Sequence, residues 1–461
     1  MEIKIDGQEI DVVDRSIVLE LVNPMVGFAD VPGAKAYDIK VKDTDLTKRV
    51  LGNIQHPLVR ADSKLLPTEL TRGKVTIEKG VSVVRPSNDG FSLGFTSNYA
   101  ELFGAAQSKT LREIDFGVLP FGSAEINASL ANTYLINGWV LPTVKNAKFY
   151  ENGNVPGGWT GKVNDFDSGS FTGGEKTPMF FVKYVLKSLA DSAGVTFKGV
   201  FWESDLMNKL LFYTNQVAAG TIEVRKHLPN LTVGAVLLGL RKAFNMVIRI
   251  DAPNRSIRLD FGRDLLKEVP NKNWNDRIKR LRSGTPTWSE GLRLRFSADG
   301  NDGFSKDAFY LPYESAPSGK DLGFNVIESV FSSTLMDGAI PWADQAGNTA
   351  GQEDKDCSPR LLYWIGGATP AASNSYGGVA FSAIDHAAEY WQEQEVFFKA
   401  GFMVDENMVL SSMDIADVSA RFRGERAEAP IYYASGVNWL VQSLTVPGED
   451  NGRCKVRLLR I

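Results

Sequence analysis

Histidine and cysteine are scarce in this chain of 461 residues, which has only three of the former and two of the latter. A disulfide scaffold needs several cysteine pairs, so Cys357 and Cys454 are interpreted as two reduced thiols. Metal sites need three or four protein ligands, and we therefore expect neither a metal centre nor a bound cofactor. His386 and Glu389, which a helix would place on neighbouring faces, are expected to be a polar surface pair.

Charge of either sign is nearly balanced, with 51 Lys and Arg residues against 55 Asp and Glu residues. A net charge of −4 gives no overall attraction to nucleic acid or to an anionic membrane. The sequence has no run of about 18 uncharged apolar residues. Its N-terminus has neither the basic nor the apolar segment of a signal peptide. We therefore expect a protein that is made in the cytoplasm and has no membrane segment.

Motifs for catalysis and nucleotide binding are also missing. Residues 156–163 end like a phosphate loop, but Pro156 replaces the first glycine and Val163 replaces the Ser or Thr that binds the metal ion. The Asp/Gly segments 165–169 and 299–303 lack the glutamate that completes a calcium loop, so both predict tight turns. No residue is a convincing catalytic candidate, and we expect the chain not to be an enzyme.

Glycine and aromatic residues are abundant, at 43 Gly, 26 Phe, 13 Tyr and 9 Trp. This composition is typical of a turn-rich and strand-rich protein, and the length is sufficient for two to four domains. The predicted fold class is α+β, β-dominated and multi-domain. The predicted parts are a β-rich domain (1–135), a long loop or exposed hairpin (136–176), a helix-plus-hairpin α+β domain (177–270), a basic and then loop-rich variable domain (271–400) and a closing β segment (401–461).

Local patterns predict particular turns and helix caps. Asp6 and Gly7 lie between alternating apolar residues and predict a hairpin turn. Gly80 follows a lysine between two short apolar stretches and is expected to separate two strands. Thr177, which precedes a proline, and Thr232 are expected to cap two helices, each followed by a strand. The second of these helices is expected to lead into a complete hairpin.

Residues 271–300 form a basic stretch that is interleaved with Trp274 and Trp288. Such a stretch can bind nucleic acid, but the chain as a whole is acidic. We therefore interpret it as a solvated face or as one side of a subunit contact. The candidate contact residues are Arg277, Lys279, Arg280, Arg282, Arg293 and Arg295.

Four tryptophans in loop-rich regions are candidates for stacking on a ligand such as a sugar. Tryptophan combines a large apolar ring with a polar group, which suits a binding site as well as a protein core. Packing in the core or at an interface is the alternative for each of them. The candidate stacking residues are Trp159, Trp342, Trp364 and Trp391.

Four segments in the same order resemble the hub-like or minor tail structural proteins of tailed phages and prophages of Bacteroidetes-type bacteria. The first combines Pro-Gly, an aromatic residue, a short strand and Leu-Gly. The second is a short acidic and aromatic segment, the third a helix followed by a hairpin, and the fourth the strand-rich C-terminal region. Residues 136–176 and 300–400 have no match in this pattern. The four segments are Val31–Gly52, Leu111–Gly117, Leu231–Phe261 and Tyr432–Ile461.

This resemblance implies a tail-tip or baseplate hub protein of the virion tail, without enzymatic activity. Such hubs form homotrimeric rings of small β-barrel domains, which link the tail tube to a central spike or fibre. The implied partners are further copies of the chain, tail-tube or distal tail proteins, and the spike. DNA would pass through the lumen without specific binding. The alternatives are a carbohydrate- or receptor-binding module for host attachment and, less favoured, a hydrolase of cell-wall glycans that uses dispersed carboxylates.

Overall fold

The structure is a computed structural model. It describes residues 1–13, 17–28, 33–52, 65–87, 90–97, 100–151, 155–278, 284–286, 289–304, 311–319, 322–348, 359–449 and 453–461. Among the helices of these residues, none is long and apolar enough to cross a membrane.

The first part of the chain consists mainly of strands. The elements are β1 (Glu2–Ile5), β2 (Gln8–Ile10), β3 (Val18–Val22), β4 (Ala34–Val41), α1 (Asp45–Val50), β5 (Leu65–Arg72), β6 (Val75–Ser87), β7 (Gly90–Ser97) and α2 (Ala100–Phe103), followed by 3-10 helices at Gly104–Ser108 and Leu111–Glu113.

The middle part mixes short strands with the longest helices. The elements are β8 (Val118–Phe121), α3 (Ser123–Ala128), a 3-10 helix at Ser129–Ala131, β9 (Trp139–Val140), β10 (Val144–Lys145), β11 (Lys162–Val163), β12 (Phe166–Asp167), β13 (Ser170–Phe171), β14 (Met179–Phe180), α4 (Val182–Ala193), β15 (Thr196–Lys198), α5 (Val200–Glu203), α6 (Asp205–Lys209), β16 (Leu210–Phe212), β17 (Gly220–Glu223), a 3-10 helix at Val224–His227, α7 (Val233–Phe244), β18 (Met246–Asp251), β19 (Ser256–Phe261) and α8 (Gly262–Leu266).

The last part returns to longer strands after a loop-rich region. The elements are β20 (Lys272–Asn273), β21 (Thr285–Pro286), β22 (Leu292–Phe296), β23 (Tyr313–Glu314), β24 (Asn325–Ser329), β25 (Leu335–Asp337), β26 (Ile340–Trp342), β27 (Leu361–Trp364), β28 (Ala372–Ser373), β29 (Ser375–Tyr376), β30 (Val379–Ala380), α9 (Ala383–His386), a π-helix at Ala387–Trp391, α10 (Gln392–Ala400), β31 (Phe402–Met408), α11 (Ser412–Phe422), β32 (Ile431–Ala434), β33 (Val437–Pro447) and β34 (Cys454–Arg460).

One sheet of thirteen strands contains strands from both ends of the chain. Its main order is β2-β1-β5-β6-β7-β4-β3-β33-β34-β31-β21, with β32 beside β33 and β20 beside β32. The two ends of the chain meet where β3 pairs antiparallel with β33, with Leu21 opposite Leu444. The β-dominated fold class is thereby confirmed, and the first and last parts of the chain share one sheet.

The described strands do not close a barrel, contrary to the barrel-like domains that the resemblance implies. Closure requires the first and last strands of a sheet to pair with each other. In the described residues, β2 pairs with β1 and β21 pairs with β31, so the path has two separate ends. Both end strands are only two or three residues long, as is common for the edges of open sheets.

Gly80 lies inside the continuous strand β6 and does not separate two strands, so this prediction is wrong. A Cβ atom on Gly80 would lie 2.2 Å from the carbonyl oxygen of Thr96 on β7. The glycine therefore permits a close approach of two strands. Asp6 and Gly7, in contrast, have φ angles of 49° and 77° and form the predicted hairpin turn between β1 and β2.

The helix-plus-hairpin region has the predicted elements with one different boundary. Thr232 caps α7 as expected, since its hydroxyl accepts a hydrogen bond from the N–H of Ala235 at 3.2 Å. Thr177 is not a cap. It is buried, and its N–H donates to the side chain of Asn164, while the next residues pair with β9 before α4 begins at Val182. The hairpin of β18 and β19 is confirmed.

Two regions that lie far apart in the sequence form one loop-rich unit. We define it as residues 139–151, 155–176 and 335–348. Its sheet has the order β11-β10-β26-β25. Asn146 and Gln345 exchange two hydrogen bonds, at 2.8 and 3.2 Å, and the N–H of Gly347 donates to the carbonyl of Phe149. The long loop of the sequence analysis is therefore anchored on a second loop-rich region.

We define the framework as the thirteen-stranded sheet together with α7, β18, β19 and α11. Most of its buried apolar residues belong to two large clusters, and a smaller cluster contains Val247, Leu440 and Leu459. One large cluster surrounds α7 and the hairpin, and the other lies between the sheet and α11. Helix α11 thus lies where the sheet and the hairpin approach each other.

Candidate functional site

Helix α11 has a well-formed N-terminus and a face that packs on the large sheet. The hydroxyl of Ser411 accepts a hydrogen bond from the N–H of Asp414, and the carboxylate of Asp414 accepts from the N–H of Ser411. This reciprocal pair satisfies two donors that would otherwise lack partners at the helix start. Ile415 and Val418 are buried among the apolar residues of the sheet. The charged residues of the helix are therefore held in fixed positions.

Glu78 links α11 to the sheet. It lies on β6 with no exposed surface, and it accepts hydrogen bonds from Ser419 and from the guanidinium of Arg423, the latter at 2.8 Å. Burial raises the pKa of Glu78 above its ordinary value, against the opposing effects of the Arg423 charge and of these hydrogen bonds. The carboxylate is thus costly to bury and depends on its two partners.

Asp417 is a second buried carboxylate on the same helix, and it collects several donors. Lys272 and Arg421 lie 3.2 and 3.3 Å from it, and the hydroxyl of Tyr432 donates to it at 3.1 Å. Arg426 also forms an ion pair with it. Burial acts to raise the pKa of Asp417, but the hydrogen bonds and charges of Arg421 and Lys272 outweigh it, so the pKa lies below its usual range.

Arg249 links the hairpin to the segment after α11. The guanidinium is almost wholly buried and pairs with Asp260 of the neighbouring strand at 2.5 Å. It also donates to the carbonyl oxygens of Arg426, Ala427 and Glu428 at 3.2, 2.5 and 3.2 Å. These carbonyls belong to an exposed segment that follows the helix. One arginine therefore joins two parts of the framework through backbone groups.

The basic stretch of the sequence contributes to these contacts. Lys272 pairs with Asp417, and Arg277 pairs with Asp414 at 3.1 Å, so both bind the same helix. The beginning of the stretch is therefore docked on α11 within the chain. Trp274, which lies between them, is buried and stacks on Tyr432 with ring centroids 3.8 Å apart.

The other candidate contact residues are not all brought together with Arg277. Arg293 and Arg295 lie on β22, in a separate three-stranded sheet. Arg293 pairs with Glu314 at 2.6 Å and lies over the ring of Phe324, whereas Arg295 is exposed. The remaining candidates lie outside the described residues: Lys279, Arg280, Arg282, together with Trp288.

The ion pairs of Glu78, Asp417 and Arg249 join α11 and the segment after it to neighbouring elements of the fold. Each buried carboxylate is bound by at least one guanidinium, an arrangement that fixes positions and orientations. Sequence reasoning missed Glu78, Asp417 and Arg249. Asp417 and Arg421 are four residues apart on α11, and Ser419 has the same spacing from Arg423, which caps the end of the helix. This spacing was the available signal in the sequence.

The Asp/Gly segment at 299–303 is a tight turn, as predicted. The N–H of Asp302 donates to the carbonyl of Asp299 at 3.0 Å. Both carboxylates are buried against the guanidinium of Arg360, at 2.5 and 2.6 Å. The positive charge that a calcium ion would supply in a similar loop thus comes from an arginine. Within the described residues, no group of three or more His, Cys, Asp or Glu side chains could hold a metal ion.

The histidines are core residues where they are described. His386 is fully buried, so the expectation of a surface pair with Glu389 is wrong. Its Nδ1 lies 2.8 Å from the carbonyl oxygen of Ala243, and burial lowers its pKa to about 4. Glu389 pairs with Arg263 instead. His227 is likewise buried, with its pKa lowered to about 3, and His56 lies outside the described residues.

Cys454 is a buried free thiol whose pKa is raised by burial. Cys357 lies outside the described residues.

The four candidate tryptophans fall into two groups. Trp391 has no exposed surface and packs on Phe28, and Trp364 is 7% exposed. Protein atoms cover their rings in this structure. Trp342 is half-buried and lies between the ring of Phe304 and the ammonium of Lys145.

Trp159, the fourth, lines a cleft of about 480 Å³ in the loop-rich unit. The segment from Pro156, which ends like a phosphate loop, is a turn as predicted, and the N–H of Trp159 donates to the carbonyl of Pro156. The Asp/Gly segment 165–169 is also a turn, between β12 and β13, and forms another wall. We call this site the Trp159 cleft.

No protein-family model matches the chain, and no curated protein matches its sequence. Solved structures similar to it include the 43 kDa tail protein of prophage MuSo2 from Shewanella oneidensis, with a TM-score of 0.39 and 8% identity over 100% of this chain and 97% of that one. The prophage tail protein gp18 from Listeria monocytogenes EGD-e has a TM-score of 0.37 and 9% identity, over 100% and 94%.

A tail protein from Neisseria meningitidis MC58 has a TM-score of 0.35 and 7% identity, over 99% of this chain and 95% of that one. Scores below 0.5 do not establish a shared fold.

Proposed function

We propose that the chain is a structural protein of a phage tail and, more specifically, a hub-like subunit of the tail tip or baseplate. In this proposal it forms a homotrimeric ring that links the tail tube or distal tail proteins to a central spike or fibre. The observation that carries the proposal is that the four segments with the family resemblance contact one another in the folded chain, although long stretches of sequence separate them.

These contacts connect the segments in pairs. The N–H of Leu111 in the second segment donates to the carbonyl of Leu231, the first residue of the third, at 2.8 Å. Val247 of the third packs in one apolar cluster with Leu440 and Leu459 of the fourth. The first segment contributes β4 and the fourth contributes β33 and β34, and buried residues of these strands belong to one apolar cluster. The resemblance thus follows a connected substructure.

The framework has properties that suit a ring subunit. Its buried ion pairs hold the sheet, α11 and the hairpin in one arrangement, which supports a rigid building block. The terminal strands β2, β20 and β21 carry backbone groups that have no strand neighbour in the described residues. Such edges can pair with a neighbouring copy. A net charge of −4 suits a lumen through which DNA passes without being bound.

The proposal is tested by native mass spectrometry of the purified chain and by electron microscopy of virions with a gold-labelled antibody. We expect three copies in the particle and label at the tail tip. A monodisperse monomer at high concentration, with no label at the tip, would refute the proposal.

Charge reversal tests the basic stretch as a subunit contact. The double variant Arg280→Glu with Arg282→Glu should lower the fraction of trimer. A control with the same change in net charge replaces two exposed lysines outside the stretch, Lys42→Glu with Lys109→Glu. Equal trimer fractions in both variants would show that the stretch is only solvated.

Carbohydrate or receptor binding is a second candidate function, favoured by the Trp159 cleft. Glycan hydrolysis is the least favoured, because the sequence has no catalytic motif and the buried carboxylates Glu78 and Asp417 are bound by guanidinium groups. We expect no release of fragments from cell-wall or capsule material incubated with the protein.

A further inference from the structure

The Trp159 cleft has the size of a site for a small ligand. Its volume of about 480 Å³ falls within the range of roughly 300 to 1,000 Å³ that is common for such sites. It lies in the loop-rich unit, away from the ion pairs of α11. Its walls combine one indole, one phenyl ring, polar side chains and bare backbone.

The aromatic wall is held in place by its neighbours. Trp159 is half-buried, and its ring packs edge-to-face on Tyr150 with centroids 4.7 Å apart and lies 6.0 Å from Phe149. Phe166 is fixed in the same way by Phe171, at 5.1 Å. The rings are therefore oriented before any ligand arrives, which lowers the entropic cost of binding.

The polar wall offers mostly acceptors. Asp165 accepts hydrogen bonds from the hydroxyl of Thr160 at 2.9 Å and from the N–H of Phe166 at 3.1 Å, which orient its carboxylate. Asp167 is exposed at the turn between β12 and β13. Lys162 lies 3.8 Å from Asp165 and is the one cationic residue in the lining. The ammonium of Lys176 also donates to the carbonyls of Thr172 and Gly174 in the wall, so two ammonium groups balance the two carboxylates, and a neutral ligand with hydroxyl donors fits better than a charged one.

Four glycines line the cleft, and for two of them, Gly157 and Gly173, neither the backbone angles nor the packing of the described residues requires glycine. Gly158 and Gly174 have φ angles of 81° and 93°, which glycine adopts without strain. Gly157 and Gly173 have no such angle, and a Cβ atom on either would meet no atom of the described residues within 4 Å. A glycine at an ordinary backbone position costs about 0.4–1 kcal/mol relative to alanine. Bare backbone at a cleft wall lets a ligand approach the peptide groups closely.

We infer that the Trp159 cleft binds a neutral saccharide unit. The sugar ring packs on the indole of Trp159, its hydroxyls donate to Asp165 and Asp167, and its edge lies against the bare backbone at Gly157 and Gly173. The combination of an oriented aromatic face with carboxylate acceptors matches the mixed apolar and polar surface of a sugar. This inference does not depend on the proposed tail function, because it is tested by binding and not by assembly.

The test is isothermal titration calorimetry of the full chain with neutral trisaccharides of glucose, mannose and N-acetylglucosamine, and with trigalacturonate as the anionic comparison. We expect at least one neutral trisaccharide to bind and trigalacturonate to bind more weakly. Trp159→Ala should weaken binding about tenfold. The matched control is Trp342→Ala, which removes another half-buried tryptophan of the same unit and should leave binding unchanged.

Gly173→Ala separates binding from folding. The added methyl group should not lower the melting temperature, but it should weaken binding severalfold. Gly323→Ala, at a position with equally open surroundings outside the cleft, should not change binding. No neutral trisaccharide bound at about 10 mM, or equal affinities in the Trp159 and Gly173 variants and the parent, would overturn the inference. A change in oligomer mass caused by Gly173→Ala, without bound sugar, would assign the cleft to a subunit contact and would also overturn it.

Discussion

The framework and the loop-rich unit are held together by different kinds of interaction. In the framework, Glu78, Asp417 and Arg249 are almost inaccessible to water and pair with residues from other elements. In the loop-rich unit, the ion pairs of Lys145 with Asp337 and of Lys148 with Asp344 are substantially exposed.

This difference has a physical consequence for the role of each region. Removing one partner of a buried ion pair leaves a charge without compensation, whereas water replaces a lost partner at the surface. The framework therefore accepts few substitutions and keeps one arrangement. The loop-rich unit has strands of only two or three residues and can change its surface at little cost. Binding sites are commonly carried by such loops on a rigid scaffold.

The largest expected effect is at Arg249. Arg249→Met removes the guanidinium that binds Asp260 and the carbonyl groups after α11, and it leaves the buried carboxylate of Asp260 with the half-buried Arg258 in place of two guanidinium partners. We expect the free energy of unfolding to fall by about 3–5 kcal/mol. Urea denaturation measures it. A loss similar to that of a surface substitution would show that the buried network does not hold the framework together.

Acid should destabilise the fold through His386, a buried residue of α9 that contacts Ala243 in the framework helix α7. The pKa of this histidine falls from 6.5 in the unfolded chain to about 4 in the fold, because burial disfavours the charged form. Its contribution to stability is therefore complete above about pH 6.5 and is lost as the pH falls toward 4. The slope is about 1.4 kcal/mol per pH unit over this window.

Measurements of the unfolding free energy between pH 7 and 5 test whether stability falls with pH as predicted. His386→Phe keeps an aromatic ring among Phe244, Phe296 and Phe381 and should reduce the pH dependence by about that slope. An unchanged slope would assign the acid sensitivity to other groups. The loop-rich unit contains no histidine, so this source of pH dependence is confined to the rest of the chain.

Alanine substitution of two glycines with positive φ angles tests how tightly each of the two regions is packed. Gly424 follows α11 with a φ of 72°, and a Cβ atom there would lie 2.8 Å from the Cβ of Arg249. Gly338 has a φ of 61° in the loop-rich unit and open surroundings. Gly424→Ala should cost about 2–3 kcal/mol, and Gly338→Ala about 1 kcal/mol, since only the first adds a clash to the backbone strain. Equal losses of melting temperature would contradict this comparison.

The smallest expected effect is at a surface ion pair of the loop-rich unit. Lys145→Met removes the partner of Asp337, and both side chains are about half exposed. The free energy of unfolding should change by less than about 1 kcal/mol. A loss as large as that of Arg249→Met would mean that both regions depend equally on their ion pairs.

Elements that depend on near neighbours in sequence could be predicted. The turn at Asp6 and Gly7, the cap at Thr232 and the hairpin after α7 follow from backbone preferences and from apolar periodicity over a few residues. Of the candidate site residues, Trp159 was selected by its loop-rich surroundings and does line a cleft. The pattern gave no means to distinguish it from Trp391, which is buried.

Features that depend on distant residues could not be predicted. Gly80 has the sequence context of a turn, but it is a glycine because any side chain there would clash with the carbonyl of Thr96 on the next strand. Glu78 and Arg423 are 345 residues apart, and neither differs in sequence from an ordinary surface charge. Lys272 and Arg277 belong to the basic stretch that was interpreted as a solvated face or a subunit contact, and in the fold both form ion pairs with α11.

The sequence by itself therefore determined the β-dominated class, some local features such as the turn at Asp6 and Gly7 and the cap at Thr232, and the scarcity of reactive side chains. Only the tertiary structure decided which charges are buried, that both ends of the chain share one sheet, and that two loop-rich regions form one unit. The physical reason is the range of the interactions: backbone preferences act over a few residues, whereas burial and ion pairing depend on which distant segments the fold brings into contact.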